Sequence, residues 1–387
     1  MPVDRDALRD FTLRLIAESS LSGQESGVAG LVQQEMRRLG MATYVDDWGN
    51  VTGVLDAGPG PVILLDSHMD TVGVTDPSQW RRAPSGEQVG DRIYGRGAMD
   101  MKGPLAASLY GAALLRDSPF RGTIAVSASV CEELVEGPAL VSVAERYHPD
   151  LVLICEATGL RLNVGQRGRA EVSVEVFGTP THSSKPELGI NAVERMTDVI
   201  QALRQINIPE HPVLGRGVLV LTDIISRPYP GLSVVPDYCT ATFDRRTLPG
   251  EDEEDVLQPL RDTVEKVLAG TGARGTVGIA KDEFTTYTGH AVSAPNFAPA
   301  WYAGTEASFV QLALHGLRRT GLKPQTSHYS FCTNGSGTAA LGIPTLGFGP
   351  GDELLAHRID EYVEIAELVQ AAEGYAGIIG EWLGGRS

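Results

Sequence analysis

Cysteine is scarce in this chain, and the four that occur, Cys131, Cys155, Cys239 and Cys332, include no C-x-x-C pair. All four stand in apolar or strand-like contexts, so reduced thiols are expected rather than disulfide staples or a thiolate zinc site. Positive charge is also in short supply. Lys and Arg number 32 against 49 Asp and Glu, a formal net charge of -17, which argues against a phosphate backbone or an anionic membrane surface as partner. An acidic chain can, however, hold divalent cations at little Coulombic cost. No apolar run reaches membrane-spanning length, and Met1 to Asp10 is polar where a secretory signal would need an apolar core. A cytoplasmic protein is the expectation. Two nucleotide signatures are missing as well: there is no G-x-x-x-x-G-K-[ST] loop, and no strand opens into G-x-G-x-x-G before a helix. Internal repeats and low-complexity tracts are absent.

What is present is organised around Val62 to Asp70, Val-Ile-Leu-Leu-Asp-Ser-His-Met-Asp. Its apolar, partly β-branched start reads as a strand buried on both faces of a parallel sheet, and its end carries His68 and Asp70. Ligands in open α/β sheets sit beyond the carboxyl ends of such strands. An imidazole there can ligate a metal through one nitrogen while the other donates to a carboxylate, for which Asp70 is placed. Two further apolar strands end the same way, Thr123 to Val130 in Glu132 and Glu133, and Leu151 to Ile154 in Glu156. Between them, Tyr94 to Gly103 is a glycine-punctuated loop containing Asp100 that leads into the alanine-rich helix Pro104 to Leu115.

At 387 residues the chain is long for a single core, and two domains are expected. Amphipathic helices at Arg5 to Ser19 and Glu25 to Leu39 open it. From about Ala170 the pattern changes: Glu171 to Phe177 alternates polar and apolar, the mark of an antiparallel sheet with one wet face. The fold expected is α/β, a mostly parallel sheet flanked by helices, with an inserted α+β lid or dimerisation domain. Residues 1–169 and 291–387 form the catalytic domain and 170–290 the insert, with an irregular stretch at Thr285 to Thr305. Helix Ser308 to Thr320, an apolar strand at Ile343 to Phe348, His357 and a long final helix close the chain.

The strand-end candidates are His68, Asp100, Glu133, Glu156 and His357, with Glu132 beside them. Nitrogen and carboxylate donors without cysteine suit zinc, cobalt or manganese. One bridging carboxylate flanked by two His/carboxylate pairs describes a two-metal site, and the spare carboxylate, for which Glu132 is the candidate, would move the proton.

These residues resemble the M20 family of cocatalytic metallohydrolases. The resemblance is carried by Ser67-His68-Met69-Asp70-Thr71-Val72, Gly-Arg-Gly-Ala-Met-Asp-Met-Lys-Gly, Glu132-Glu133 and Glu156. In the insert it continues through Thr181-His182-Ser183-Ser184, Gly189-Ile190-Asn191-Ala192, Val235-Pro236-Asp237 and Asp244-Arg245-Arg246, and it runs on from Thr333 to His357. It implies that Asp100 bridges two divalent ions, zinc first with cobalt or manganese as alternatives. His68 and Glu156 would complete one site, Glu133 and His357 the other. It further implies that Asp70 orients His68, that Glu132 is the general base, and that the Asp100 to Met101 peptide is cis. The insert would form a homodimer in which His182 stabilises the oxyanion of the other subunit's reaction.

Substrate-binding candidates on the same ground are Arg246, Asn334 and Gly335. Several positions depart from the family pattern: Ser233 stands where many relatives have Asn, and Thr333-Asn334-Gly335-Ser336 replaces Gly-Gly-Thr-Asp. With Phe348-Gly349-Pro350-Gly351, the latter is similar to the branch of selenium-metabolism hydrolases. The expected activity is hydrolysis of an amide bond in a small N-acyl amino acid or dipeptide-like substrate. Rivals are an N-carbamoyl amino acid hydrolase, a larger-peptide exopeptidase, and a catalytically silent peptide-binding scaffold.

Overall fold

The computed structural model describes residues 2–384, and the chain divides into two compact units. The first comprises 2–166, Glu283–Ser293 and 302–384, and the second Arg167–Asp282 and Ala294–Trp301.

At the centre of the first unit the strand Val62–His68 pairs in parallel with Thr123–Ser129 on one side and Leu151–Ile154 on the other. Thr345–Gly347 extends the parallel set beyond Leu151–Ile154. On the opposite flank Val51–Asp56 and Ala42–Val45 add antiparallel strands. The burial of Val62–His68 follows from its composition. Ile63 and Leu65 face one layer of helices, including Arg5–Ala17, Gly103–Ala113 and Ile365–Leu383, while Leu64 faces the other with Leu140, Val143 and Val152. Successive side chains point to opposite faces, so only an unbroken apolar run can fill both layers. The expected class, a mostly parallel sheet flanked by helices with a separate α+β part, is what the chain adopts.

The second unit is an antiparallel sheet in the order Val218–Arg227, Tyr238–Thr247, Gly168–Phe177, Arg274–Ile279. Along Gly168–Phe177, Ala170, Val172, Val174 and Val176 are buried against the helices Ala192–Leu203 and Glu253–Leu268, and the intervening residues are half-exposed. Phe297–Ala298 also pairs with Gly168–Phe177. That pairing corrects the reading of Thr285 to Thr305 as irregular: Ala291–Pro295 and Phe297–Ala298 are strands. Strands of two to five residues carry too few alternations to register as a period. Leu162–Gln166 and Thr326–Tyr329, parallel neighbours, were not expected either. Leu162–Gln166 is entirely buried yet contains Asn163, Gly165 and Gln166, so it lacks an apolar signature. Among the described residues no helix is long and apolar enough to cross a membrane.

In the first unit the helices Ser308–Arg319 and Ile365–Leu383 touch backbone to backbone, because a Cβ on Gly316 would overlap the carbonyl oxygen of Gly377, and one on Gly377 that of Gly316. Neither obstacle is a side chain that could swing away. Gly377→Leu is therefore expected to destabilise the fold by about 1–3 kcal/mol or more through overpacking, seen as a lower midpoint of thermal unfolding. An unchanged midpoint would contradict this close approach.

Candidate metal centre

Three neighbouring parallel strands deliver the candidate donors from their carboxyl ends. His68 is the last residue of its strand and is 1% exposed. Two residues beyond Thr123–Ser129 the chain turns through Cys131, whose φ of 57 is left-handed, and this turn presents Glu132 and Glu133. Glu156 follows Leu151–Ile154 by two residues. Asp100 comes from the turn Ala98–Lys102 ahead of helix Gly103–Ala113, and its bond to Met101 is cis, as the resemblance implied. His357 stands in a loop with φ 60 and is half-exposed.

Asp100 is the hub. Its Oδ1 lies 3.1 Å from His68 Nε2 and its Oδ2 3.3 Å from His357 Nε2, so one carboxylate faces both imidazoles with different oxygens. Glu156 is 3.2 Å from His68 Nε2, and Glu133 3.1 Å from His357 Nε2. Glu132 stands 3.8 Å from His68 Nε2. Donor atoms of His68, Glu132 and Glu156, and of His68, Asp100 and Glu133, lie within 4.8 Å of one another in each set. All of these residues belong to the first unit. Two imidazoles and several carboxylates with no thiolate make a donor set that fits borderline and hard divalent cations such as zinc, cobalt and manganese.

Electrostatics point the same way. Burial opposes a charge on His68, yet the surrounding Glu132, Asp100, Asp70 and Glu156 hold its pKa well above the ordinary value. His357, bonded to Asp100 and Glu133, is raised to about 10. Asp100 is buried, but hydrogen bonds from His357 and His68 hold it below the usual carboxylate range. Burial raises Glu156 to about 7, with the nearby Asp100 charge adding to it, and burial likewise holds Glu132 well above its ordinary value. Carboxyl groups outnumber imidazoles here, and the raised pKa values of Glu132 and Glu156 mark a burial and crowding that bound cations would relieve.

Asp70 does more than face His68. His68 Nδ1 lies 2.9 Å from the backbone carbonyl of Asp70 and 3.5 Å from its carboxylate, so the ring is oriented chiefly by the main chain. The Asp70 carboxylate accepts the backbone N–H groups of Glu132 and Glu133, both at 3.1 Å, and the Ser22 hydroxyl at 2.6 Å. Burial opposes its charge, but these bonds and His68 hold its pKa below the ordinary value. Glu25, also buried, accepts from the Cys131 backbone N–H at 3.1 Å. Ser22 and Glu25 carry no sequence signal of this role, because their effect depends on a turn that only the fold brings near.

The remaining candidates have these settings. Asn334 is buried: its amide donates to Asp66 and to Ser129, and its oxygen accepts from Gly137 N–H at 2.8 Å. Gly335 opens the short helix Gly335–Ala340, also in the first unit. Among the described residues, neither is hydrogen-bonded to any of the five donors. In the second unit, His182 is exposed with Nδ1 2.8 Å from the Ser184 hydroxyl, and Arg246 pairs with Asp244 at 2.9 Å. A cavity of about 440 Å³, unforeseen from sequence, is lined by Thr158, Arg161, Asn163, Ser327, His328 and Glu353 among others. Of its lining residues, Thr158 follows Glu156 by two positions and Leu354 precedes His357 by three.

Residues 64–381 match the model of peptidase family M20/M25/M40. The chain belongs to this family. Uncharacterized protein YgeY of Escherichia coli (strain K12) is 30% identical over 383 residues, covering 96% of this chain and 94% of YgeY. Succinyl-diaminopimelate desuccinylase of Corynebacterium glutamicum is 26% identical, over 94% of this chain and 93% of its own. Among solved structures, aminopeptidase PepT from Bacillus cereus superposes with a TM-score of 0.76 over 98% of this chain and 99% of its own. At 19% identity that likeness speaks for the fold alone. This M20 chain is a metallohydrolase of the deacylase or peptidase kind, acting on amide or peptide bonds.

If Asp100 serves both ions, Asp100→Ala should abolish the binding of both, whereas His357→Ala or Glu156→Ala should abolish one. Metal content measured by mass spectrometry after dialysis checks this, and two ions retained in Asp100→Ala would remove Asp100 from the bridging position.

Proposed function

We propose that this M20 chain hydrolyses the amide bond of a small N-acyl amino acid or dipeptide-like substrate, with two divalent ions held by His68, Asp100, Glu133, Glu156 and His357. The observation that carries the reading is Asp100, whose two oxygens face two imidazoles, each backed by a further glutamate. When bound, such an ion pair polarises a carbonyl oxygen and acidifies water, which makes amide hydrolysis feasible near neutral pH. The chain's own residues do the rest. Glu132 takes a proton from the attacking water and passes it to the departing amine nitrogen as the carbon–nitrogen bond breaks. Its backbone N–H is tied to Asp70, so the base is aimed by a buried carboxylate rather than left to rotate with a loose loop. The burial of Glu132 and His68 keeps bulk water away from that proton.

A small substrate suits a cavity of about 440 Å³, a volume in the range of small-molecule sites. Zinc is the metal proposed, with cobalt or manganese as alternatives. The finer placement, in the selenium-metabolism hydrolase branch, rests on Thr333-Asn334-Gly335-Ser336 and Phe348-Gly349-Pro350-Gly351 alone. For His182 the proposed role is the oxyanion donor to a partner subunit. Among the described residues its ring is bonded through Nδ1 alone, and His182→Ala should lower turnover with metal content unchanged. Arg246 is proposed to meet a substrate carboxylate, in exchange for its present pairing with Asp244.

A homodimer through the second unit is proposed on the state of its outermost strand. Val218–Arg227 is an edge strand with Val220, Ile224 and Ile225 exposed, and Tyr229 and Leu232 beyond it are 83% and 90% exposed. A long apolar edge of this kind is an aggregation hazard unless covered. Ile224→Asp should therefore shift the protein to monomer in analytical ultracentrifugation, and a parent already monomeric at micromolar concentration would sink the proposal.

The activity itself is tested with N-acetyl, N-succinyl, N-carbamoyl and dipeptide panels in added zinc, cobalt or manganese. Glu132→Gln should keep its metal and lose turnover by about 100-fold or more, the scale of general acid–base catalysis. Near-parental turnover in that variant would remove Glu132 from the proton's path.

A further inference from the structure

Arg96 and Glu361 form an ion pair of 2.6 Å with side chains 11% and 0% exposed, and neither belongs to the donor set. Burying a charged pair is costly unless the remaining hydrogen-bonding capacity is satisfied. Here the carboxylate's capacity is met by the metal centre's own backbone, while Arg96 Nε stays buried without a hydrogen-bond partner among the described residues. Glu361 Oε1 accepts the N–H of Met99 at 2.9 Å and of Asp100 at 3.1 Å, while Oε2 takes Arg96 Nη1. Arg96 Nη2 donates to the carbonyl of His357 at 3.3 Å. The Gly95 N–H donates back to the carbonyl of Glu361 at 3.0 Å. One buried pair therefore joins the backbone that carries Asp100 to the backbone that carries His357.

The two sides of the centre differ in how they are built. His68 sits at the end of a paired strand, and Glu156 follows the neighbouring strand by two residues, so the sheet sets their separation. His357 has no such support: it lies outside regular structure, with left-handed backbone at His357 and again at Asp360. Its distance from Asp100 has to be set by something else. We propose that Glu361, acting with Arg96, is a positioning residue that fixes His357 relative to Asp100 and so sets the affinity of the ion on the His357 and Glu133 side. The ion on the His68 and Glu156 side depends on it less, through the Asp100 backbone alone. This rests on the two-ion reading above.

The test is a zinc titration of metal-stripped protein against a competing chromophoric chelator, run on the parent, Glu361→Gln and Arg96→Lys. Glu361→Gln leaves the Arg96 charge buried without its partner, so it is expected to weaken one of the two ions by about 10- to 100-fold, the usual effect of losing an outer partner of a ligand. The other ion is weakened by a clearly smaller factor. Arg96→Lys keeps the charge but loses the planar fork that reaches both Glu361 and the His357 carbonyl. It should weaken the same ion by a smaller factor, and it decides the matter should Glu361→Gln fail to fold. Equal weakening of both ions, or parental affinity for both, overturns the proposal, since a role in general stability would not distinguish the two sides. A parent that binds fewer than two ions overturns the two-ion reading first.

Discussion

Crowding of negative charge at the ends of three parallel strands is the constraint on which the rest of the first unit depends. Asp70, Asp100, Glu132, Glu133 and Glu156 share a largely buried space with His68 and His357. Like charges this close in a poorly solvated interior repel by several kcal/mol unless something positive stands among them. Among the described residues two imidazoles, a few N–H dipoles and the buried Lys102 ammonium that acts on Asp70 answer it, and the arrangement makes chemical sense as a receptacle for divalent cations. The parallel sheet matters because it makes the convergence rigid. Strand ends spaced by the hydrogen-bonding distance of a sheet hold their following residues at fixed separations.

Around the donors lies a set of buried carboxylates whose partners are backbone amides. Asp70 accepts from Glu132 and Glu133, Glu25 from Cys131, and Glu361 from Met99 and Asp100. Each of these amides belongs to a turn that regular structure cannot hold, in one case left-handed at Cys131. An ionised acceptor makes a stronger hydrogen bond than a carbonyl does, so such turns are fixed without a ladder. Burial of the acceptors is unfavourable by itself: it raises Glu25 and takes Glu361 to about 7, against the pull of the amides and of Arg96. The centre is therefore organised in two layers, an inner set of donors and an outer set that dictates where the donors' main chain runs.

Much of the inner layer was legible in the order of residues. A both-faces-buried strand must be an apolar run, and when three such runs each end in an imidazole or a carboxylate, solvation does not explain them. The second unit was legible for a different reason, since Glu171 to Phe177 alternates strictly and a sheet with one wet face demands that. Less legible were the short strands. Ala291–Pro295 and Phe297–Ala298 carry no usable period, and Leu162–Gln166 is buried with polar residues because Gln166 bonds Thr333 and Ser336, partners far along the chain. Asn334, a substrate candidate from its motif, has its amide hydrogens committed to Asp66 and Ser129, which no local pattern could announce.

The amino-acid order by itself determined the parallel strands, the inserted α+β unit and which residues are candidate donors, because burial and periodicity are local rules and the donor types follow from ligand chemistry. Only the tertiary structure decided which oxygen of Asp100 faces which imidazole, that the main chain of Asp70 rather than its carboxylate lies nearest the His68 ring, and that Arg96 and Glu361 link two distant segments. Those are relations between segments remote in sequence, and a distance between such segments exists only once the chain has folded.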